Sequence, residues 1–302
     1  MDPKQAFQAV LKEVKKHIAG NEEIIELMFM ALVANGHVIL EGVPGVAKTT
    51  MTKTMAQAIQ AEFGRIQGTP DIEIKDIIGF TYLDENNNVQ LKKGPIFTNL
   101  LLIDELNRVP PKTTTALLES LEERQVTLGN STIPLKNPFI TFVTQNPLNI
   151  EGTNPLPKVL TDRFLMRIAV AYSSMEEEQQ MLRIKELEAE VPIDKVVNIQ
   201  DILSLQAQAN SVTISDDVIK YITQIVAATR NDIHIVMGAS PRAEIAFMRC
   251  AKARALIDGR KSVTIEDIKY LARPVLSHRI VVKSTGGLGV NGVIDGIIAT
   301  LH

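Results

Sequence analysis

The apolar positions change their spacing several times along the chain. Residues 3–34 carry apolar side chains at helical spacing, in two runs broken at Gly20-Asn21. Residues 37–40 form a short apolar run of strand type. A glycine-rich loop, 42–49, follows, and helical spacing returns over 50–60. Further strands are predicted at 61–66, 100–103, 139–144 and 164–170, with a helix over 113–123. The run 100–103 is apolar throughout, as expected of a parallel strand covered on both faces.

Two pairs of shorter runs flank turn-forming residues. Residues 80–83 and 89–91 surround Asp84-Glu85-Asn86-Asn87-Asn88, which predicts a hairpin with a short helix before it. Residues 126–128 and 132–135 surround Gly129-Asn130 and predict a second hairpin. From Ser174 to about Ser277 the pattern is mostly helical, with polar breaks near Pro192, Asn231 and Gly259. Gly286, Gly287 and Gly289 then predict a flexible link into a short apolar tail.

Composition narrows the function classes. A hydrophobic fraction of 45% allows a substantial core. The net charge of −3 argues against a broad basic surface for nucleic acid. Cys250 is the only cysteine, so no intramolecular disulfide can form, and it reads as a small buried apolar residue in a reducing compartment. The first helix, with Lys12, Lys15 and Lys16, does not have the layout of a signal peptide. No apolar run approaches the roughly 20 residues of a membrane span. A cytoplasmic protein is expected.

Three clusters carry nucleotide chemistry. Gly42-Val43-Pro44-Gly45-Val46-Ala47-Lys48-Thr49 sits between a strand and a helix, where a P-loop belongs. Converging backbone amides and a helix N-terminus suit a triphosphate; Lys48 can reach its β- and γ-phosphates, and the Thr49 hydroxyl suits Mg²⁺. Ala47 stands where the pattern usually has glycine, a mild departure because alanine is small. Asp104 and Glu105 end an apolar strand, so both carboxylates reach the edge of the sheet where ligands bind. Asp104 is placed to hold Mg²⁺ and Glu105 to polarise an attacking water. Thr144-Gln145-Asn146-Pro147 ends the next strand, where the Asn146 amide can position that water; a plain Asn-Pro turn is the competing reading.

Two arginines are weaker candidates by themselves. Arg163, in Thr161-Asp162-Arg163-Phe164, could stabilise charge on a transferring phosphoryl, or could be a surface ion pair. Arg242 follows Gly238-Ala239-Ser240-Pro241, where Ser-Pro starts a helix.

Together these blocks resemble the MoxR family of AAA+ ATPases over roughly residues 15–282. The resemblance rests also on Gly36-His37, Gly94-Pro95-Ile96-Phe97, Leu106-Asn107-Arg108, Pro110-Pro111-Lys112-Thr113, Glu123-Arg124-Gln125-Val126-Thr127 and Glu151-Gly152-Thr153. It implies an α/β P-loop AAA+ module with a five-stranded parallel sheet and β-hairpin inserts over 1–172. A smaller α-helical lid domain over 173–282 and a tail over 283–302 follow. It implies ATP and Mg²⁺ as ligands, bound by residues 42–50 (Gly42 to Thr50) and Asp104, with Ile18 and Gly20, in the stretch starting at His17, near the adenine.

The resemblance further implies a homo-hexameric ring with ATP at subunit interfaces. Asn146 is then sensor 1, Arg163 the arginine finger and Arg242 sensor 2, with Arg242 placed to act on a neighbour's nucleotide. The hairpins would line the pore or contact substrate. A separate protein with a von Willebrand A domain and protein clients would be the partners. Lys158-Val159-Leu160-Thr161 departs from the family's acidic-Ala-Gln-Leu. A nucleic-acid motor and a chelatase-type subunit remain alternatives. The hairpin tips carry no basic or aromatic cluster, which disfavours nucleic acid.

Overall fold

The computed structural model describes residues 1–129, 131–146, 154–186, 191–283 and 289–301. Two helices open the chain, α1 (Pro3–Val14) and α2 (Glu22–Val33). Gly20 and Asn21, between them, both adopt the left-handed region. A strand–loop–helix–strand unit follows: β1 (Val38–Gly42), α3 (Lys48–Ala58) and β2 (Phe63–Gln67). Helix α3 starts at Lys48, earlier than the apolar spacing predicts, so Lys48 and Thr49 lie in its first turn. Helix α4 (Ile74–Ile78) leads into the hairpin of β3 (Gly79–Leu83) and β4 (Val89–Lys93). Next come β5 (Leu100–Asp104), a 3₁₀ turn (Leu106–Arg108) and α5 (Pro111–Glu123). The second hairpin pairs β6 (Gln125–Leu128) with β7 (Ser131–Pro134); Asn130 in its turn lies outside the described residues. Strand β8 (Ile140–Gln145), the short α6 (Lys158–Thr161) and β9 (Met166–Val170) complete the α/β part.

The rest is mainly helical: α7 (Met175–Glu186), α8 (Ile199–Ser211), α9 (Asp216–Asn231), α10 (Pro241–Ile257), α11 (Ile265–Leu276) and α12 (Val290–Thr300). A small antiparallel pair, β10 (Ile235–Met237) with β11 (Val281–Val282), is embedded in it and was not expected from the sequence. Residues 290–300, expected as a tail, instead form α12. It buries Val293, Ile294 and Ile297 and packs on α9 and α11. Gly286 and Gly287 of the expected link lie outside the described residues.

The central sheet is parallel, in the order β2-β5-β8-β1-β9. Its order brings the carboxyl ends of β1, β5 and β8 side by side, which positions Gly42, Asp104 and Gln145 at one edge. Because strand side chains alternate between faces, the sheet feeds two cores. Ile39, Leu101, Ile103 and Val143 pack on one side with Leu117 and Leu121 of α5. Val38, Leu40, Leu100, Leu102 and Phe142 pack on the other with α1 to α3. This second core continues without a break into α8 to α12 through Ile202, Tyr221, Phe247, Leu271 and Ile294.

Polar links reinforce that junction. The amides of Val196 and Val197 donate to the Ala58 carbonyl, at 3.0 and 3.1 Å. Asp194 N donates to Glu13, and Gln206 to the Leu32 carbonyl. His37, just before β1, ties that strand to β8 and to α5: its Nδ1 accepts from Thr141 N (2.9 Å) and its Nε2 faces the Leu121 carbonyl (2.9 Å). Burial pushes the His37 pKa down to about 3, so the ring is neutral and Nε2 is the donor. Among the described residues no helix is long and apolar enough to cross a membrane.

Candidate nucleotide site

The loop after β1 and the first turn of α3 bound a cavity of about 360 Å³. Loop residues Gly42, Pro44, Gly45, Val46, Ala47, Lys48, Thr49 and Thr50 line it, facing Asp104, Glu105, Thr144, Gln145 and Asn146. The first turn of α3 carries no acidic residue, so its amides and dipole favour an anion. Lys48 Nζ donates to the carbonyls of Gly42 and Val43, the latter at 2.8 Å. Burial lowers its pKa, against the pull of Asp104 and Glu105. Ala47 adopts φ 58°, in the left-handed region. The departure from glycine is therefore costlier than its size suggests, about 1 kcal/mol.

The acids sit where the sequence puts them. Asp104 is buried at the end of β5; both its carboxylate oxygens lie 3.2 Å from Thr49 Oγ1, and Oδ1 lies 3.3 Å from Thr144 Oγ1. Two hard oxygen groups converging beside a phosphate loop fit Mg²⁺, which takes few protein ligands and keeps waters or phosphate oxygens for the rest. Glu105 turns the chain at φ 54°, a strained conformation for a non-glycine residue. Its amide donates to Thr144 Oγ1 at 2.8 Å, which holds that turn. Its carboxylate accepts from Arg108 Nη1 at 2.9 Å and Gln67 Nε2 at 3.2 Å. Asn146 lines the same cavity; Pro147 and residues 151–153 of the quoted motifs lie outside the described residues.

Arg163 and Arg242 are not in this cavity. They line a second one of about 570 Å³, together with Arg124, Arg249 and Arg279. Glu122 of α5 pairs with both: Arg163 Nη2 lies 2.8 Å from Oε2, and Arg242 Nη2 bonds Oε1. These two bonds hold the Glu122 carboxyl below the usual carboxylate range, that of Arg163 most strongly. Ser240 caps α10, accepting from Arg242 N, and donates to Asp162 at 2.7 Å. The buried Arg279 guanidinium lies 3.3 Å from the other Asp162 oxygen. Asp162-Arg163 thus joins the sheet to the first turn of α10. Lys158, where the family pattern is acidic, turns inward toward the carbonyls of His278 and Ile280.

Ile18 and Gly20 also lie outside the lining of the phosphate-loop cavity. Ile18 is buried in the larger core, and the Glu177 side chain lies against Gly20. Sequence reasoning missed Arg65, Gln67 and Glu122, and it quoted Arg108 and Thr144 within motifs without giving either a role. The first two carried a usable signal, since polar residues at alternate positions of a strand leading to a ligand edge face the same way. The hairpin carries a further feature away from its tip. Phe80 and Tyr82 are exposed with ring centroids 6.3 Å apart, and Lys92 Nζ lies 5.6 Å from the Phe80 ring, so an aromatic and basic cluster exists behind the tip.

Comparison with known proteins agrees with the fold. Residues 37–166 match the model of the ATPase family associated with various cellular activities (AAA), and residues 227–288 match the AAA lid domain. Chaperone MoxR1 of Mycobacterium tuberculosis is 40% identical over 91% of the chain and 75% of its own length. The uncharacterised YeaC protein of Bacillus subtilis is 40% identical over 89% of the chain and 85% of its own length. A crystal structure of a candidate ATPase from Cytophaga hutchinsonii superposes with a TM-score of 0.91 at 38% identity, covering 99% of this chain and 95% of that one. With the P-loop, the paired acids and the lid in one chain, this protein belongs to the MoxR family of AAA+ ATPases.

Proposed function

We propose that the chain binds ATP with Mg²⁺ in the Lys48 cavity and hydrolyses it to ADP and phosphate. Lys48 and the α3 amides hold the phosphates, and residues 42–50 wrap them. Thr49 and Asp104 hold the metal, which supplies charge neutralisation. Glu105 takes a proton from the attacking water, and Asn146 orients that water. Ile18 and Gly20 border the adenine. Residues 1–172 act as the nucleotide-binding domain and 173–282 as the lid, with the residues beyond 282 continuing its helical packing. The protein works in the cytoplasm.

One observation carries the wider reading. Arg163 and Arg242, the two cations suited to a transferring phosphoryl, share Glu122 in a cavity separate from the one lined by Lys48 and Glu105. A complete site therefore takes its acids from one subunit and its arginines from the next, as in a hexameric ring. Turnover in that ring drives the remodeling, assembly or activation of protein clients, with a von Willebrand A domain protein as partner.

The test is a trapped form. Glu105→Gln, incubated with ATP, should retain nucleotide and assemble, and affinity capture with it should enrich a von Willebrand A domain protein. Parent-rate turnover in Glu105→Gln would remove Glu105 from the mechanism. A second reading, a nucleic-acid motor, draws on the exposed Phe80, Tyr82 and Lys92, a pair of rings on which bases could stack beside a cation. Tight, salt-sensitive binding of single-stranded DNA that is lost in Phe80→Ala/Tyr82→Ala would favour it.

A further inference from the structure

The metal-holding acid has a cation of its own. Asp104 is buried, with only 9% of its side chain exposed, and Arg65 Nε lies 2.8 Å from its Oδ2. A buried carboxylate needs such a partner, since desolvation without one is costly. Arg65 is the one cationic side chain within ion-pair distance of Asp104 among the described residues. Its own side chain is 52% exposed, so it can leave toward solvent at small cost.

Local structure explains how Arg65 reaches Asp104. β2 is an edge strand, and its pairing with β5 sets Gln67 opposite Asp104 and Ile66 opposite Ile103. Ile66 turns into the core, so Arg65 and Gln67 share the other face of the strand. The guanidinium uses that neighbour: Arg65 Nη2 donates to Gln67 Oε1 at 3.1 Å, and Gln67 Nε2 donates to Glu105 Oε2 at 3.2 Å. A hydrogen-bonded chain therefore runs from Asp104 through Arg65 and Gln67 to Glu105.

Resting on the reading of this cavity as a magnesium–nucleotide site, we propose that Arg65 is a resident stand-in for the metal. It neutralises Asp104 before Mg²⁺ arrives and is displaced when Mg²⁺ is seated. A divalent ion and a guanidinium repel each other and compete for one carboxylate. Arg65 thereby raises the metal concentration at which the site fills. Its departure from Asp104 also removes one support of Gln67, while Arg108 keeps its own hydrogen bond to Glu105. Arg65 is a positioning residue: it acts on nucleotide chemistry through Asp104.

The experiment measures metal affinity rather than turnover. The full chain, saturated with ADP, is titrated with Mn²⁺ and the free ion is counted by electron paramagnetic resonance. Arg65→Gln should bind Mn²⁺ about two- to fivefold more tightly than the parent, the change expected when a half-exposed ion pair no longer competes. Arg65→Lys keeps the charge and should stay close to the parent value. Gln67→Ala leaves the Arg65–Asp104 pair intact and should also match the parent. Equal or weaker Mn²⁺ binding in Arg65→Gln overturns the assignment. So does tightening of the same size in Arg65→Lys or Gln67→Ala, because the effect would then be general loosening. Failure of the parent chain to bind ADP would overturn the nucleotide reading and this one with it. ADP binding with unaltered Mn²⁺ affinity in Arg65→Gln overturns this one alone.

Discussion

Arg163 and Arg242 meet on one carboxylate. The first comes from the segment just before β9 and the second from the first turn of α10, and they take opposite oxygens of Glu122. Two like charges from different layers are thus held at a fixed separation, and neither lines the cavity that Lys48 lines. Their arrangement suits a joint action on a phosphoryl group brought by another molecule.

Arg163→Ala or Arg242→Ala should therefore bind labelled ATP within about twofold of the parent yet hydrolyse it at least about tenfold more slowly. Mixing Arg163→Ala with inactive Glu105→Gln subunits should restore part of the turnover, because one supplies the acid and the other the arginine. If mixtures of every ratio stay silent, Arg163 does not act across an interface.

Lys48→Ala removes the cation beside the phosphates. A charge-assisted hydrogen bond of that kind is worth about 1.5–3 kcal/mol, so affinity for ATP should fall about ten- to hundredfold. Fluorescence titration with a labelled nucleotide reads the change, and undiminished affinity would refute the phosphate-loop assignment.

Ala47→Gly should stabilise the protein. Ala47 sits at φ 58°, and glycine relieves about 1 kcal/mol of steric cost there, partly offset by the greater freedom of glycine in the unfolded chain. Denaturant unfolding should show a net gain of about 0.5 kcal/mol with nucleotide affinity retained. A loss of stability would mean that the loop relaxes around alanine without strain.

His37 makes stability depend on pH. Its folded pKa of about 3 lies below its ordinary value of 6.5, so the unfolded chain binds the proton first. The contribution is complete above pH 6.5 and is lost as pH falls toward 3. At pH 5 the unfolded state gains about 2 kcal/mol from this one group. His37→Gln can still accept from Thr141 and donate to Leu121, and should flatten the unfolding free energy between pH 7 and pH 5 by about that amount. His278, also buried and also shifted down, keeps its own share of the slope in both proteins.

The motifs were legible because each is contiguous. Gly42 to Thr49, Asp104-Glu105 and Ser240-Pro241-Arg242 all sit at the ends of elements whose apolar spacing is unmistakable. The five strands of the sheet and both hairpins were equally plain. What the sequence hid is pairing between distant segments. Nothing near Glu122 announces two arginines that arrive 41 and 120 positions later, and nothing near Asp104 announces Arg65 from an edge strand. Helix α12 escaped for another reason. Its sequence holds Gly292 and Gly296, poor helix formers, and tertiary packing of Val293, Ile294 and Ile297 overrides that weakness.

The unbroken core between the sheet and α8 to α12 has a mechanical meaning. A cap that closes over its own nucleotide needs a joint, and a joint needs a place where side chains can part and meet water cheaply. Here Phe247, Leu32 and Val197 are buried in one apolar cluster, and the Ala58 carbonyl is fastened to the segment that leads into α8. The α/β part and helices α8 to α12 therefore share one interior, and parting them would expose apolar surface to water at a cost in free energy.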